Sequence, residues 1–249
     1  MFWAFAKVEA KPQQDTLGCL QEGAIAMLNR GVVKPQEMSN CIWGMATLGY
    51  EPSDDFILFL SREIERQIPM KNFVPQTCSN ILWSFAKLEI TPQETVVRSL
   101  VEETVCLIDK CSSQNISNLL WAVAKTEMAV TDQQFEQLES IIQRTVVHAK
   151  PQDLANTLWA FATSGYQPRL ELLERICDMA VKTLKDFNHQ NLSNSLWALA
   201  TMDYTPPNNL IDKLFDQLHS VHQTCVPQDI SNSIWACANL RFKPTRVSQ

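Results

Sequence analysis

The sequence predicts an all-α fold, an α-solenoid of stacked two-helix repeats of 38–40 residues, on three observations. The first is the spacing of tryptophan. All seven Trp residues (Trp3, Trp43, Trp83, Trp121, Trp159, Trp197, Trp235) fall in one frame, at intervals of 40, 40, 38, 38, 38 and 38 residues. Self-similarity at such a period marks a stacked repeat protein. The second is the company each tryptophan keeps. Counted from Trp as zero, every complete copy has Gln at −7, Asn at −3, Leu or Ile at −1 and Ala at +3, and position +1 is always small. The third is punctuation by proline, at −8 in four copies (Pro35, Pro75, Pro151, Pro227) and at +9 in four (Pro52, Pro92, Pro168, Pro206).

The segment around each Trp is an amphipathic helix of about four turns, because at 100° per residue positions −5, −1, +2 and +3 fall on one side. Proline at −8 suits a first helical turn, where no backbone donor is needed. Gly49 and Gly165 close two copies. This helix, B, is predicted near 35–48, 75–88, 113–126, 151–164, 189–202 and 227–240. Between each +9 Pro and the next helix B runs a second helical pattern, such as Phe56-Ile57-Leu58-Phe59-Leu60 with Ile64. This helix, A, is predicted near 13–29, 53–68, 93–109, 132–147, 169–185 and 207–223. The small residues at +1 and +3 allow close helix approach, and the Trp with its Leu or Ile neighbour is expected to fill the space between hairpins.

The domain reading is one array over 1–249: a partial repeat at 1–10, repeats at about 11–50, 51–90, 91–128, 129–166, 167–204 and 205–242, and the start of another at 243–249. The chain opens inside a repeat and neither end carries a polar cap, so a fragment or isoform of something longer is expected. A composition of 45% apolar and 19% charged residues is that of a globular chain. No run approaches the roughly 18 to 20 apolar residues of a membrane span. The eight cysteines show no CxxC spacing, and several occupy apolar repeat positions. Reduced core thiols in a reducing compartment are expected.

Catalysis finds no support, since an active site needs unique residues set against one another and this chain repeats the same ones. There is no glycine-rich phosphate loop, GxSxG elbow or HExxH. His219, His222 and Cys225, three apart, come nearest to a metal site, but ligands that cross a helix end rarely converge without a fourth from elsewhere. No enzyme activity, cofactor, metal or small-molecule substrate is expected.

Gln at −7, Asn at −3, Trp at zero and position +4 (Lys7, Thr47, Lys87, Lys125, Thr163, Thr201, Asn239) share one ridge of helix B. The Asn and Trp sets (Asn40, Trp43, Asn80, Trp83, Asn118, Trp121, Asn156, Trp159, Asn194, Trp197, Asn232, Trp235) are read as a structural signature. Asn is a poor residue inside a helix, so its recurrence requires compensation, and amides bonded to the neighbouring hairpin would supply it. The other account is a polar ladder against a ligand that itself repeats. Positions that vary suit ligand reading better. On what is expected to be the exposed side of helix B these are −6 (Glu37, Thr77, Asn115, Asp153, Asn191, Asp229) and −2 (Cys41, Ile81, Leu119, Thr157, Ser195, Ser233). Short polar side chains read base edges in helical-repeat RNA binders; against that, −6 lies in the first turn, where capping alone favours the same residues.

A net charge of −6 opposes a polyanionic partner, but placement alters this. Between −15 and −9 stand eight basic residues (Arg30, Lys34, Lys71, Lys110, Arg144, Lys150, Lys182, Lys185) against Asp109 and Asp186. From +6 to +15 acids dominate, including Glu51, Asp54, Asp55, Glu89, Glu94, Glu127, Asp132, Glu136, Glu171 and Glu174. One basic edge, fit for a phosphate backbone, and one acidic edge are expected; complementing the dipole of helix A would give the same pattern.

The string from Pro151 to Ala162, Pro-Gln-Asp-Leu-Ala-Asn-Thr-Leu-Trp-Ala-Phe-Ala, with its relative from Gln190 to Ala200, resembles the octotricopeptide repeat, a 38-residue unit. Similar repeats accompany animal mitochondrial FASTK-type proteins and algal chloroplast factors for translation and mRNA stability. The resemblance covers essentially the whole chain. It implies a solenoid that binds single-stranded RNA in a mitochondrion or chloroplast and regulates its stability, processing or translation, with other proteins of an RNA-processing or translation complex as further partners; outside an organelle the location would be cytoplasmic. A RAP domain often follows such repeats and is not found in this sequence, so no nuclease-like activity is expected. The competing reading is a protein-interaction scaffold using the same solenoid surface, with no membrane role in either case.

Overall fold

A computed structural model describes residues 1–126, 131–207 and 209–242. Among them are thirteen α-helices, five short 3-10 turns and no strand. In chain order the helices are α1 (Phe2–Lys7), α2 (Gln14–Asn29), α3 (Pro35–Leu48), α4 (Asp54–Gln67), α5 (Pro75–Lys87), α6 (Glu94–Cys106), α7 (Ser113–Lys125), α8 (Asp132–Thr145), α9 (Pro151–Ser164), α10 (Leu170–Thr183), α11 (His189–Thr201), α12 (Leu210–Ser220) and α13 (Pro227–Asn239). The chain is an all-α array of helical hairpins, as its periodicity predicts. The proposed further repeat at 243–249 lies outside the described residues, as do the side chains of Glu127 and Asp132.

The helices group into two compact units, Met1–Cys111 and Ser112–Gln249. In the first, the B helices α1, α3 and α5 pack side by side, with α2, α4 and α6 as a second layer. In the second, α7, α9, α11 and α13 form the B row, backed by α8, α10 and α12. Each unit is thus two helical layers around one core.

The core between the layers is filled from −5, −1 and +2. Leu154, Leu158 and Phe161 of α9, and Leu192, Leu196 and Leu199 of α11, are fully buried. Position +1 sets how closely B helices approach. Ser84, Ala122, Ala160, Ala198 and Ala236 are all buried there. At Gly44 an added Cβ would lie 2.5 Å from the backbone carbonyl carbon of Phe2, so only glycine fits.

Three details depart from the sequence reading. The tryptophans do not fill the space between hairpins: Trp3 and Trp235 are 45% and 42% exposed, and the others are half-buried. Five helices of the A layer end earlier than predicted and tighten into 3-10 turns, at Ile68–Met70, Ile108–Lys110, Val146–His148, Leu184–Asp186 and His222–Thr224. Such turns satisfy end carbonyls and keep an i, i+3 apolar pattern running, so periodicity cannot separate them from α-helix. The hydroxyls of Thr145 and Thr183, the last residues of α8 and α10, donate back to the carbonyls of Ile141 and Met179 at 3.0 and 2.9 Å. Helix α12 begins at Leu210, beyond Pro206-Pro207 and Asn209, whose φ of 53° breaks the helical path.

All eight cysteines are free thiols; Cys78, Cys111 and Cys177 are buried, and Cys19 and Cys106 are exposed. Among the described residues no helix is long and apolar enough to cross a membrane.

Candidate functional site

The varying positions −6 and −2 were expected on the exposed side of helix B, and that placement is corrected. Thr77, Ile81, Asn115, Leu119, Asp153, Thr157, Asn191, Ser195, Asp229 and Ser233 are all buried. Only Glu37 is exposed, with Cys41 half-buried. Within its unit each B helix has at least one B neighbour as well as the A layer, and α3, α9 and α11 have one on both flanks, so a short polar residue there meets another helix rather than solvent.

What these side chains do is visible in their hydrogen bonds. Position −6 is the third helical residue, and in every complete copy but that of Thr77 its side chain accepts from the backbone N–H that precedes the helix. Lys34 N–H donates to Glu37 at 2.8 Å, Ser112 to Asn115 at 3.0 Å, Lys150 to Asp153 at 3.0 Å, Asn188 to Asn191 at 3.3 Å and Val226 to Asp229 at 2.9 Å. This is the acceptor half of a capping box. The two aspartates also reach back one repeat. Asp153 accepts from the hydroxyls of Ser113 and Ser117 at 2.9 and 3.3 Å. Asp229 accepts from Ser193 at 2.7 Å and lies 2.6 Å from His189 Nδ1. At −2, Thr157 and Ser233 donate to the carbonyls of Asp153 and Asp229 within their own helices, both at 2.7 Å. Position −6 therefore caps its helix, and where it is Asp153 or Asp229 it also clasps that helix to the previous one.

The solvent face of the B row is built instead from the ridge that repeats. Gln36, Gln76, Gln114, Gln152, Gln190 and Gln228 are exposed, and Asn40, Asn80, Asn118, Asn156, Asn194 and Asn232 are half-exposed. Among the described residues none of these side-chain amides has a hydrogen-bond partner in the chain. The expected bonds from them to the neighbouring hairpin are not made. Their donors and acceptors point to solvent.

Between the Asn row and the +4 row lie the tryptophans. In the second unit Trp121, Trp159, Trp197 and Trp235 follow one another at ring-centroid spacings of 6.2, 6.4 and 6.2 Å, tilted by 33–36°. In the first, Lys7 Nζ sits 5.9 Å from the Trp3 ring and 5.3 Å from Trp43, a cation over two aromatic faces. The +4 residues are exposed in every copy. Thr47, Thr201 and Asn239 donate back to the carbonyl of their Trp at 2.8, 2.9 and 2.9 Å. Each B row thus presents four parallel lines: Gln amides, Asn amides, indoles and a varied polar line.

The A-to-B turns flank the Gln line. All eight basic residues counted there (Arg30, Lys34, Lys71, Lys110, Arg144, Lys150, Lys182, Lys185) are exposed. Lys71 is also bonded to buried Glu103 at 2.8 Å, which raises its pKa. The described acids of the opposite turns, Glu51, Asp54, Asp55, Glu89, Glu94, Glu136, Glu171 and Glu174, are exposed as well. His219 and His222 stack with ring centroids 5.5 Å apart, and His222 Nδ1 lies 2.7 Å from the His219 carbonyl. Sequence reasoning passed over Arg62 and Arg66, which stand on α4 outside the windows counted. Their i, i+4 spacing was the signal available.

Residues 93–243 match the family model described as Tbc2 translation factor, N-terminal domain. That match covers more than half of the chain. The chain belongs to the Tbc2 translation factor N-terminal domain family. No curated protein matches it. The Tbc2-type region takes in every helix from α7 to α13 and therefore the whole B row of the second unit, with its line of four tryptophans. A translation-factor domain is the level of function that membership supports.

Proposed function

We propose that this chain is a non-enzymatic domain that binds single-stranded RNA along the solvent face of its B helices and so regulates translation, stability or processing of an organellar transcript, in a mitochondrion or chloroplast. Membership of a translation-factor family supports the regulatory half of this reading. One observation carries the RNA half. Asn stands at −3 in every complete repeat, costs helix stability there, and among the described residues spends its amide on no partner. Residues constant along the array suit what is constant along RNA, the ribose 2′-hydroxyls and phosphate oxygens. The +4 line is exposed and varied, so selectivity among bases falls to it, with indole faces available to bases. Phosphates would follow the basic A-to-B turns.

Filter binding to a pool of single-stranded RNAs over a salt series tests this. Binding at low salt should weaken linearly on a log–log plot, with a slope of about −0.7 per phosphate contacted. Asn156→Asp with Asn194→Asp places negative charge on the ridge without touching the core, and should weaken binding about tenfold or more. Absence of binding at low salt, or an unchanged affinity in the double variant, would refute the reading.

The net charge of −6 supports a second reading, a scaffold for a protein partner that docks on the acidic turns. Partner capture that survives RNase treatment and is lost when Glu171 and Glu174 are changed to Gln would favour it.

A further inference from the structure

The A-to-B turn after α2 and the outer face of α4 enclose a groove of about 550 Å³ lined chiefly by polar groups. Three arginines, Arg30, Arg62 and Arg66, line it together with one carboxylate, Glu63. Their roles divide. Arg66 is held in place: its Nη2 and Nε bond to the two oxygens of buried Glu63 at 2.6 and 2.8 Å, and Nη2 also donates to the Gly31 carbonyl at 3.2 Å. That last bond answers the partial negative charge at the C-terminal end of α2. Gly31 has φ of +64° and lies beneath the Arg66 guanidinium, so the turn and the arginine fix each other. Arg30 and Arg62 are different. Among the described residues neither guanidinium has an ion pair or hydrogen bond; Arg62 lies over the Phe59 ring at 6.0 Å. Two uncommitted guanidiniums beside a third that is oriented by a buried acid leave the groove with an excess of two positive charges.

We infer that this groove is a binding site for a phosphate monoester dianion. Two charges match the dianion, and guanidinium forks fit its oxygens in pairs. An internal RNA phosphodiester carries one charge, so the groove differs in its ligand from the other basic turns, although it shares Arg30 with the turn after α2. The dianion has two possible sources with the same chemistry, the terminal phosphate of an RNA and a small phosphorylated compound.

The test uses the whole chain and inorganic phosphate, followed by NMR of the arginine Nε–H groups or by calorimetry. At pH 8 saturable binding is expected, and it should weaken toward pH 6 as the dianion is protonated. Arg30→Gln with Arg62→Gln should lower affinity about tenfold or more. Arg98→Gln, an exposed arginine of α6 paired with Glu94, should leave it unchanged. Both changes are on the surface, and circular dichroism of the variants should match the parent. Equal affinity in the double variant, or the same response to chloride at matched ionic strength, overturns the assignment. The source is then separated with one RNA oligonucleotide carrying either a 5′-phosphate or a 5′-hydroxyl. Tighter binding of the phosphorylated form, lost in the double variant, identifies a terminal phosphate; equal binding of the two forms, with inorganic phosphate still bound, identifies a small compound. Inorganic phosphate binding requires no RNA, so its outcome is independent of the ridge reading.

Discussion

His189 Nδ1 lies 2.6 Å from Oδ2 of Asp229, forty residues on and one repeat along the array. The same carboxylate accepts from the Val226 N–H and the Ser193 hydroxyl, so one buried acid caps α13 and ties it to α11. Asp153 joins α9 to α7 in the same way through Ser113 and Ser117. The pairs α7–α9 and α11–α13 are thus joined by polar clasps as well as by apolar contact.

Asp229→Ala should cost about 1–3 kcal/mol, because it strands several buried donors at once. Burial pushes the Asp229 carboxyl up, but the bonds from Val226, Ser193 and His189 together outweigh it and hold the group below its ordinary value of 3.8. A depressed carboxylate adds stability that is complete above its unfolded value and is lost as pH falls through the folded one. Urea midpoints should therefore drop between pH 5 and pH 3 in the parent, and by less in Asp229→Asn. Equal acid sensitivity in the two proteins would contradict the clasp.

Gly44→Ala should destabilise the first unit by about 1–3 kcal/mol, the range for overpacking a close contact. The new methyl meets backbone of α1 rather than a movable side chain. Ala122→Gly, at the same repeat position in α7, removes only a methyl and should not force helices apart. Hydrogen exchange of α1 and α3 amides distinguishes the two, with faster exchange expected in Gly44→Ala.

Phe161→Ala should cost more than Trp159→Ala, although tryptophan is the residue that marks every repeat. Phe161 is fully buried between the layers, so its truncation leaves a cavity, at about 3–5 kcal/mol. Trp159 is half-exposed and loses ring contacts with Trp121 and Trp197, worth about 0.5–1.5 kcal/mol each. Paired denaturation curves decide the order, and the reverse order would place the indoles in the core.

Thiol labelling should divide the cysteines by burial. Burial pushes Cys41, Cys78 and Cys177 up to about 12, so at pH 8 they remain protonated and unreactive. Cys19 and Cys106 are exposed and should label first with an aromatic disulfide reagent. Labelling of Cys78 or Cys177 at the same rate as Cys19 would show that the core opens.

The fold was legible because its signals are redundant. Seven tryptophans in one frame and prolines at helix starts brought predicted and observed bounds to within a residue for all six complete B helices, as at Pro35–Leu48 and Pro151–Ser164. The ends of the A helices were less legible, because 3-10 turns such as Ile108–Lys110 preserve the apolar spacing that defines the helix before them. The ridge Gln152, Asn156, Trp159, Thr163 was also legible as a ridge, but spacing alone left open whether it meets the neighbouring hairpin or solvent.

By itself the sequence determined the hairpin, its length, its number of copies and the four residues that share each ridge, since all of these follow from spacing along a single chain. Only the tertiary structure decided which sides of helix B are covered. Periodicity reports that a side is apolar or polar, whereas burial depends on what packs against it. With a B helix on each flank, the polar residues Asp153, Thr157 and Ser195 are enclosed, and two of them are satisfied by hydrogen bonds to Ser117 and to the helix backbone. The same packing leaves the repeated asparagines, which looked structural, half-exposed, with no partner for their amides among the described residues.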